Sequence, residues 1–459
     1  MSIPAGRRPA RHSEPPDRGR RRAVRPEGRR DRRRAPLPDG RRGRRARAGL
    51  PDLTGAGRLV AAHAVDSLGT GLVFAFTVVY LTHTTHLPLD RIGAALTVGN
   101  LLALPAPALG GVLLDRLGPK KVVALANLVC AAGFAAFLAV RPAWQISLAY
   151  FVVQAGINLY WTAARNLVPL ACVPGEERLW FGFISSLRNL GIGAGAAASA
   201  LALAVFGPDS LSALIAVNAG TFLCAALLYL TWKPARGSAR PDTTGPADDG
   251  GGAVRRGTWK DVARDGRYLL LVAANLAFVL AQMVPPVLLA VYVTDTLHAG
   301  AWIPGTLLVV NTVAVAVLTP AITRRSARHG PDRAIAGGFL VAVGSFGLFA
   351  APLAWTGAPA WAVAAVLAAA MLLFTLSEIL SSPALNELSV ACAPARGNGR
   401  HQAAFQLSWS IGGAAAPVVL TALLSRQPAL PWLLLALLSV LAVPAARALA
   451  PPDPEEPQP

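Results

Sequence analysis

Lysine is nearly missing from this chain. Only Lys120, Lys121, Lys233 and Lys260 occur, and arginine supplies the rest of the 43 basic residues. Charge is scarce overall, at 15% against 54% hydrophobic residues. A water-soluble domain of that composition would carry too apolar a surface. Cysteine is sparse as well: Cys130, Cys172, Cys224 and Cys392 are dispersed and never form a CxxC pair. That argues against a disulfide framework and against a zinc site, and leaves small buried hydrophobes as the better reading. No Walker loop, dinucleotide fingerprint or nucleophile elbow stands in the context its chemistry needs, so ATP-driven pumping and catalysis have no support and no cofactor is expected. The strict alternation of a membrane β-strand is also absent, which argues against a β-barrel.

What the chain does have is apolar runs of about 20 residues, each long enough to cross about 30 Å of hydrocarbon. They recur from residue 58 onward and predict an all-α membrane protein with the lipid bilayer as its solvent. Twelve spans are expected: 58–82, 92–114, 122–140, 145–168, 180–206 and 211–232, then 268–294, 302–322, 334–354, 361–383, 401–424 and 432–449. The expected organisation is an N-terminal six-helix bundle over 58–232, a linker over 233–267 and a C-terminal six-helix bundle over 268–449. Residues 1–57 and 450–459 are expected to be disordered tails.

Residues 1–50 hold 18 arginines against five acids and few apolar residues. No apolar h-region follows those charges before residue 57, so this is not a signal peptide. A basic tail can bind nucleic acid or anionic lipid, but a plain cytoplasmic extension, or a start assigned too early, is the preferred reading, and no nucleic-acid partner is expected. With the N-terminus inside, the inward loops and C-terminal end hold 19 basic residues. The outer loops hold three: Arg91, Arg141 and Arg426. The positive-inside rule then places both termini in the cytoplasm of a multi-pass plasma-membrane protein.

The two halves look related. VYLTHTTH at 79–86 matches VYVTDTLH at 291–298, and RLGPKK at 116–121 falls on RHGPDR at 328–333, both at an offset of 212. ACVP at 171–174 echoes ACAP at 391–394, offset by 220. Three matches in order argue for duplication of a six-helix unit, a layout that in transporters leaves a cavity between the halves.

The loop after the second span reads GVLLDRLGPKK, from Gly111 through Asp115, Arg116 and Gly118 to Lys120 and Lys121. It resembles the signature G-x-x-x-D-R-x-G-R-R/K of the major facilitator superfamily, with Pro119 at a usually basic place. The resemblance covers about 58–449 and implies two six-helix bundles that rock around a central site. Residues 377–400 and RNLG at 188–191 resemble features of bacterial multidrug-type proton antiporters, with Ser377 where glycine is usual. The proline-containing antiporter motif expected after span 5 is degraded to GIGAGAAAS. The resemblance implies proton-coupled efflux of a small organic compound. Nutrient uptake by symport and a non-transporting sensor or assembly protein remain open, and a monomer is expected.

Four ionisable residues inside the expected spans stand out: Asp66, Arg165, Arg188 and Glu378. Each costs at least about 2.5 kcal/mol at the bilayer centre unless it is paired or hydrated, so each should face a partner or a cavity. Asp66 and Arg188 lie at similar depth. Asp66 can take and release a proton, Arg188 keeps its charge, and either can partner the other. Thr70, Val73, Thr77 and Tyr80 continue the Asp66 face at helical spacing. Glu378 is expected three quarters along span 10, as a proton handler or a gate partner. Arg165, near the end of span 4, is expected to snorkel to the interface. Asn100, Gln154, Asn158, Tyr160, Trp161, Gln282 and Asn311 can line the cavity, and the two aromatic rings suit a flat or cationic substrate. His83, His86, Asp295 and His298 sit in equivalent loops, but no metal site is expected from them. Within the signature, Gly118 and Pro119 make a turn, Lys120 and Lys121 hold it inside, and Gly111 permits close helix approach. Asp115 can face a helix N-terminus of the other half as a gate latch, one that Ala327 at the equivalent place cannot copy.

Overall fold

The computed structural model describes residues 50–234, 258–394 and 397–450, apart from Ala75, Ala301, Thr356 and Ala358. The tails expected to be disordered, 1–57 and 450–459, lie mostly outside the described residues, as do residues 235–257 of the linker.

Among those residues all regular structure is helical. Nine helices are long and apolar enough to cross a membrane, and two more crossings come from bent pairs, Gly57–Phe74 with Thr77–Thr85 and Leu89–Leu102 with Ala106–Leu117. These two pairs are spans 1 and 2. Span 3 is Pro119–Phe137, span 5 Glu177–Phe206 and span 6 Ser210–Thr231. Between them Ala143–Ala164, less apolar because it carries Gln145, Gln154 and Asn158, takes the place of span 4. The second set begins with Gly266–Gln282, which continues to Thr296 as span 7. Trp302–Ser326, Pro331–Ala350, Ala360–Ala391, Gly399–Arg426 and Leu430–Ala448 are spans 8 to 12.

Proline explains most departures from the expected spans. Span 2 bends by 40° between Leu102 and Ala106, where Pro105 has no N–H to give and its ring displaces the preceding turn. Span 7 widens into π turns at Val284–Leu288, around Pro285 and Pro286. Span 4 ends in a tight turn at Arg165–Leu167 and one more helical turn, Val168–Ala171, that contains Pro169. Span 10 does the reverse and runs through Pro383 to Ala391. Glu378 is therefore the nineteenth of 32 residues, just past the helix middle rather than three quarters along. A short helix inside the expected linker, Trp259–Arg264, is set by a capping box between Thr258 and Asp261.

Spans 1 and 5, 3 and 4, and 3 and 6 pack tightly in the first half, as do 9 and 10, 9 and 12, and 7 and 11 in the second. Each half has two apolar layers. Trp180, Trp232, Val122 and Leu167 belong to one layer of the first half; Phe134, Phe137, Ile92 and Phe222 belong to the other. In the second half, Tyr268, Phe339 and Phe405 form one layer, and Phe346, Phe349 and Trp432 the other. The halves meet through spans 5 with 8, 2 with 11, 5 with 10 and 4 with 11.

The sequence matches between halves recur as equal bonds. The Tyr80 hydroxyl donates to the Phe137 carbonyl at 3.0 Å, and the Tyr292 hydroxyl donates to Phe349, both residues displaced by the same 212 positions. His86 and His298 are the two non-glycine residues with positive φ among the described residues, at 53° and 50°. Both sit where the chain leaves a helix, at equivalent places in the two halves. Pro119 and Pro331 each open a helix, the position where a missing N–H is harmless. Cys172 and Cys392 each donate a backbone N–H to the carbonyl four residues back, on Val168 and Leu388, closing two equivalent helix ends.

Candidate functional site

Span 1 carries a row of polar residues, His63, Asp66 and Thr70, at helical spacing. Asp66 is only 3% exposed, and Arg188 Nη1 on span 5 donates to its Oδ2 at 3.1 Å. Small residues let the two helices close: a Cβ on Gly195 would lie 2.2 Å from the Leu68 carbonyl oxygen, and one on Gly71 would meet the Ile192 carbonyl at 2.3 Å. The pair borders a cavity of about 460 Å³ in the first half, where Thr70, Thr77, Gln154, Tyr160 and Trp161 also contribute. Asn100 lies behind Gln154, accepting its amide at 2.9 Å.

A second cavity of about 280 Å³ opens between the halves. Tyr160, Trp161 and Arg188 line both cavities, so these three side chains form the partition. Arg165, Asn386, Gln406 and Trp409 close the second cavity from spans 4, 10 and 11. Here the structure corrects an expectation. Arg165 does not snorkel; it is 4% exposed and turned inward. Its Nε donates to Asn386 Oδ1 at 2.8 Å, Nη2 to Gln406 Oε1 at 2.9 Å and Nη1 to the Trp161 carbonyl at 2.6 Å. The tight turn at Arg165–Leu167 aims the side chain across the interface instead of along the helix to the surface.

Two buried groups escaped sequence reasoning. His63, one turn before Asp66, holds the Tyr160 and Tyr229 hydroxyls at 3.0 and 3.1 Å from Nδ1, while its Nε2 has no partner. Polar spacing on span 1 could have found it, since His63, Asp66 and Thr70 follow at helical intervals. Arg178, counted in the sequence only as an inward loop charge, is 5% exposed at the start of span 5. It pairs with Glu387 of span 10 and donates to the Ser326 and His329 carbonyls at 2.8 and 2.9 Å.

The remaining candidates are spread out. Asn158 Oδ1 accepts from Ser410 Oγ at 3.0 Å across the two halves. In the second half Asn311 Nδ2 donates to Glu378 Oε2 at 3.2 Å and to Thr375 Oγ1 at 2.9 Å. Glu378 thus accepts from an uncharged amide within its own half and has no cross-half ion pair among the described residues. Glu378, Asn311, Gln282 and Asn158 line neither described cavity.

On the basic face, Asp115 Oδ1 accepts the Gly399 backbone N–H at 2.7 Å and Oδ2 faces Arg400 at 3.1 Å. Gly399 begins span 11, so the carboxylate rests on a helix N-terminus of the other half, where negative charge is favoured. Gly111 makes that approach possible, since a Cβ there would lie 2.5 Å from the Gly399 carbonyl oxygen. Lys120 Nζ donates to the Trp232 carbonyl at 2.9 Å, while Arg116 and Lys121 are exposed. Gly118 turns the chain with φ of 76°. The missing second acid at Ala327 is answered by Arg178, which crosses from the first half to the carbonyls flanking that position.

A helical membrane protein with two related halves, ion pairs across the halves on one face and a cavity between them is a transporter scaffold of one particular family. The sequence profile of the Major Facilitator Superfamily matches residues 59–417, and the chain belongs to that family. The multidrug resistance protein MdtH of Klebsiella pneumoniae (strain 342) is 23% identical over 353 residues, covering 75% of this chain and 81% of that protein. Among solved structures, the E. coli fucose:proton symporter FucP aligns with a TM-score of 0.66 at 17% identity, covering 87% of this chain and 99% of its own. The proton:xylose symporter XylE aligns at 0.63 and 15%, covering 84% and 93%. At these identities the structural likenesses establish the fold.

Proposed function

We propose that this transporter couples protons to the movement of a small organic compound by alternating access, with Asp66 carrying the proton. The observation behind this reading is the buried Asp66–Arg188 bond at the edge of a cavity. A carboxylate there can exchange its arginine partner for a proton, and the exchange changes what Arg188 offers to the cavity. The basic face is cytoplasmic, by its Lys and Arg content. It is closed by Asp115 and Arg178, so the cavities belong to the outward-facing half of the cycle. Efflux is the direction supported by the similarity to multidrug resistance proteins.

Co-transport into the cell is the second reading, and the same bond favours it. Neutralising Asp66 frees a guanidinium for substrate, so proton and substrate can bind together. Proteoliposomes under an imposed pH gradient separate the two. Export predicts that acid on the outer side speeds loss of preloaded substrate; co-transport predicts accumulation away from the acid side. In both, Asp66→Asn abolishes driven flux and spares substrate exchange. Driven flux unchanged in Asp66→Asn would rule out this role for Asp66.

A further inference from the structure

Arg165 is a buried cation with no counter-charge among the described residues. Its three side-chain partners, Asn386, Gln406 and the Trp161 carbonyl, are all neutral oxygens, and no ion pair to it occurs among the described residues. A guanidinium has five N–H donors, so two remain beyond these bonds. Two amides and a carbonyl could join spans 4, 10 and 11 around a neutral side chain without desolvating a charge, so bridging alone does not account for an arginine here.

The surroundings narrow what completes the site. The Phe405 ring centre lies 4.7 Å from the Arg165 guanidinium carbon, and Trp161 has both guanidinium groups over its ring, Arg188 at 4.7 Å and Arg165 at 6.0 Å. The aromatic ring that the sequence suggested for a cationic substrate is therefore already served by protein cations. Asp66 offsets only Arg188, leaving one positive charge over when Asp66 is ionised and two when it is protonated. Trp161, Trp409 and Phe181 supply flat apolar wall.

We propose that the cavity between the halves binds an organic anion, a carboxylate on an aromatic or flat apolar body, with the carboxylate on the free donors of Arg165. This rests on reading the cavity as part of the transport path. It names the substrate class and needs no direction of transport.

The test is equilibrium binding by the full chain in lipid nanodiscs, without any gradient. The probes are benzoate, naphthoate and indole acetate, each with its amide and its amine counterpart. The expected result is that at least one carboxylate binds at least about tenfold more tightly than its amide and amine. Arg165→Gln should weaken that carboxylate at least about tenfold and leave the amide unchanged; Arg165→Lys should keep part of the affinity. Binding by no carboxylate, equal binding by an amine or amide, or unchanged carboxylate affinity in Arg165→Gln would overturn the proposal. The ranking of ligands on the unaltered chain stands even if Arg165→Gln fails to fold. Anion binding without proton-driven flux keeps this inference and removes the coupling; driven flux of an amine with no carboxylate binding does the reverse.

Discussion

Arg188 on span 5 donates to Asp66 on span 1 across 3.1 Å, with both side chains at the edge of the same cavity. The bond joins two helices that glycines bring into contact. It puts a buried carboxyl group of the first half beside the side chains that partition the two cavities.

Breaking that pair from either side leaves an uncompensated charge. Asp66→Asn or Arg188→Gln alone should destabilise the folded transporter, by about 3 kcal/mol for Arg188 left without its acid. The double variant should lose clearly less than the sum of the singles. Thermal unfolding of the four proteins in one detergent checks this; additive losses would mean that the two side chains act independently.

Proton linkage to the anion has a definite sign. Asp66 is faced by Arg188 and by the Tyr160 hydroxyl, with His63 one turn back. An anion near Arg188 repels the Asp66 carboxylate and competes for its partner, so binding favours the protonated acid. Naphthoate affinity should rise as pH falls, and the slope should vanish in Asp66→Asn. The measurement is the dissociation constant across neutral and mildly acidic pH. Such a slope is the sign co-transport needs; affinity that falls on acidification is the competition on which proton-driven export depends.

The latch proposed for the basic face should act on the cycle. Asp115→Ala removes two charge-assisted bonds that exist only while Gly399 and Arg400 lie against span 2. Turnover should fall by about tenfold while equilibrium substrate affinity changes by less than about threefold. Arg178→Ala should behave alike, because its partners Glu387, Ser326 and His329 also lie in the other half. A selective loss of binding in either variant would contradict a gate role.

Tyr80 and Tyr292 should be interchangeable in their energetics. Each hydroxyl is buried and has the equivalent carbonyl acceptor. Tyr80→Phe and Tyr292→Phe should each cost about 1 kcal/mol. Matched losses in thermal unfolding would support the duplication; a large loss from one alone would limit the symmetry to the backbone.

Much of the fold was legible in the chain. Apolar runs marked the spans, and the repeats at offset 212 marked places that carry the same bonds and the same caps in both halves. Gly111, Asp115 and Gly118 were legible because a turn and a helix N-terminus impose local requirements. Less was legible where prolines acted. Pro105 and Pro285 bend or widen their spans, but Pro383 does not stop span 10, because in lipid the surrounding helices decide whether a break is tolerated. Spans drawn from hydropathy alone therefore misplaced Glu378.

Sequence determined the class: a chain with these apolar lengths, this charge asymmetry and this internal repeat has to cover a bilayer with helices whose backbone bonds are satisfied internally. Tertiary structure decided how the polar residues are shared out. Depth along a helix is nearly one-dimensional and can be counted from the sequence, so Asp66 and Arg188 could be set at one level. Rotation and crossing partners are set by packing between helices distant in the chain. They alone made Arg165 an inward-facing cation, Arg178 a cross-half latch and Glu378 a partner of Asn311.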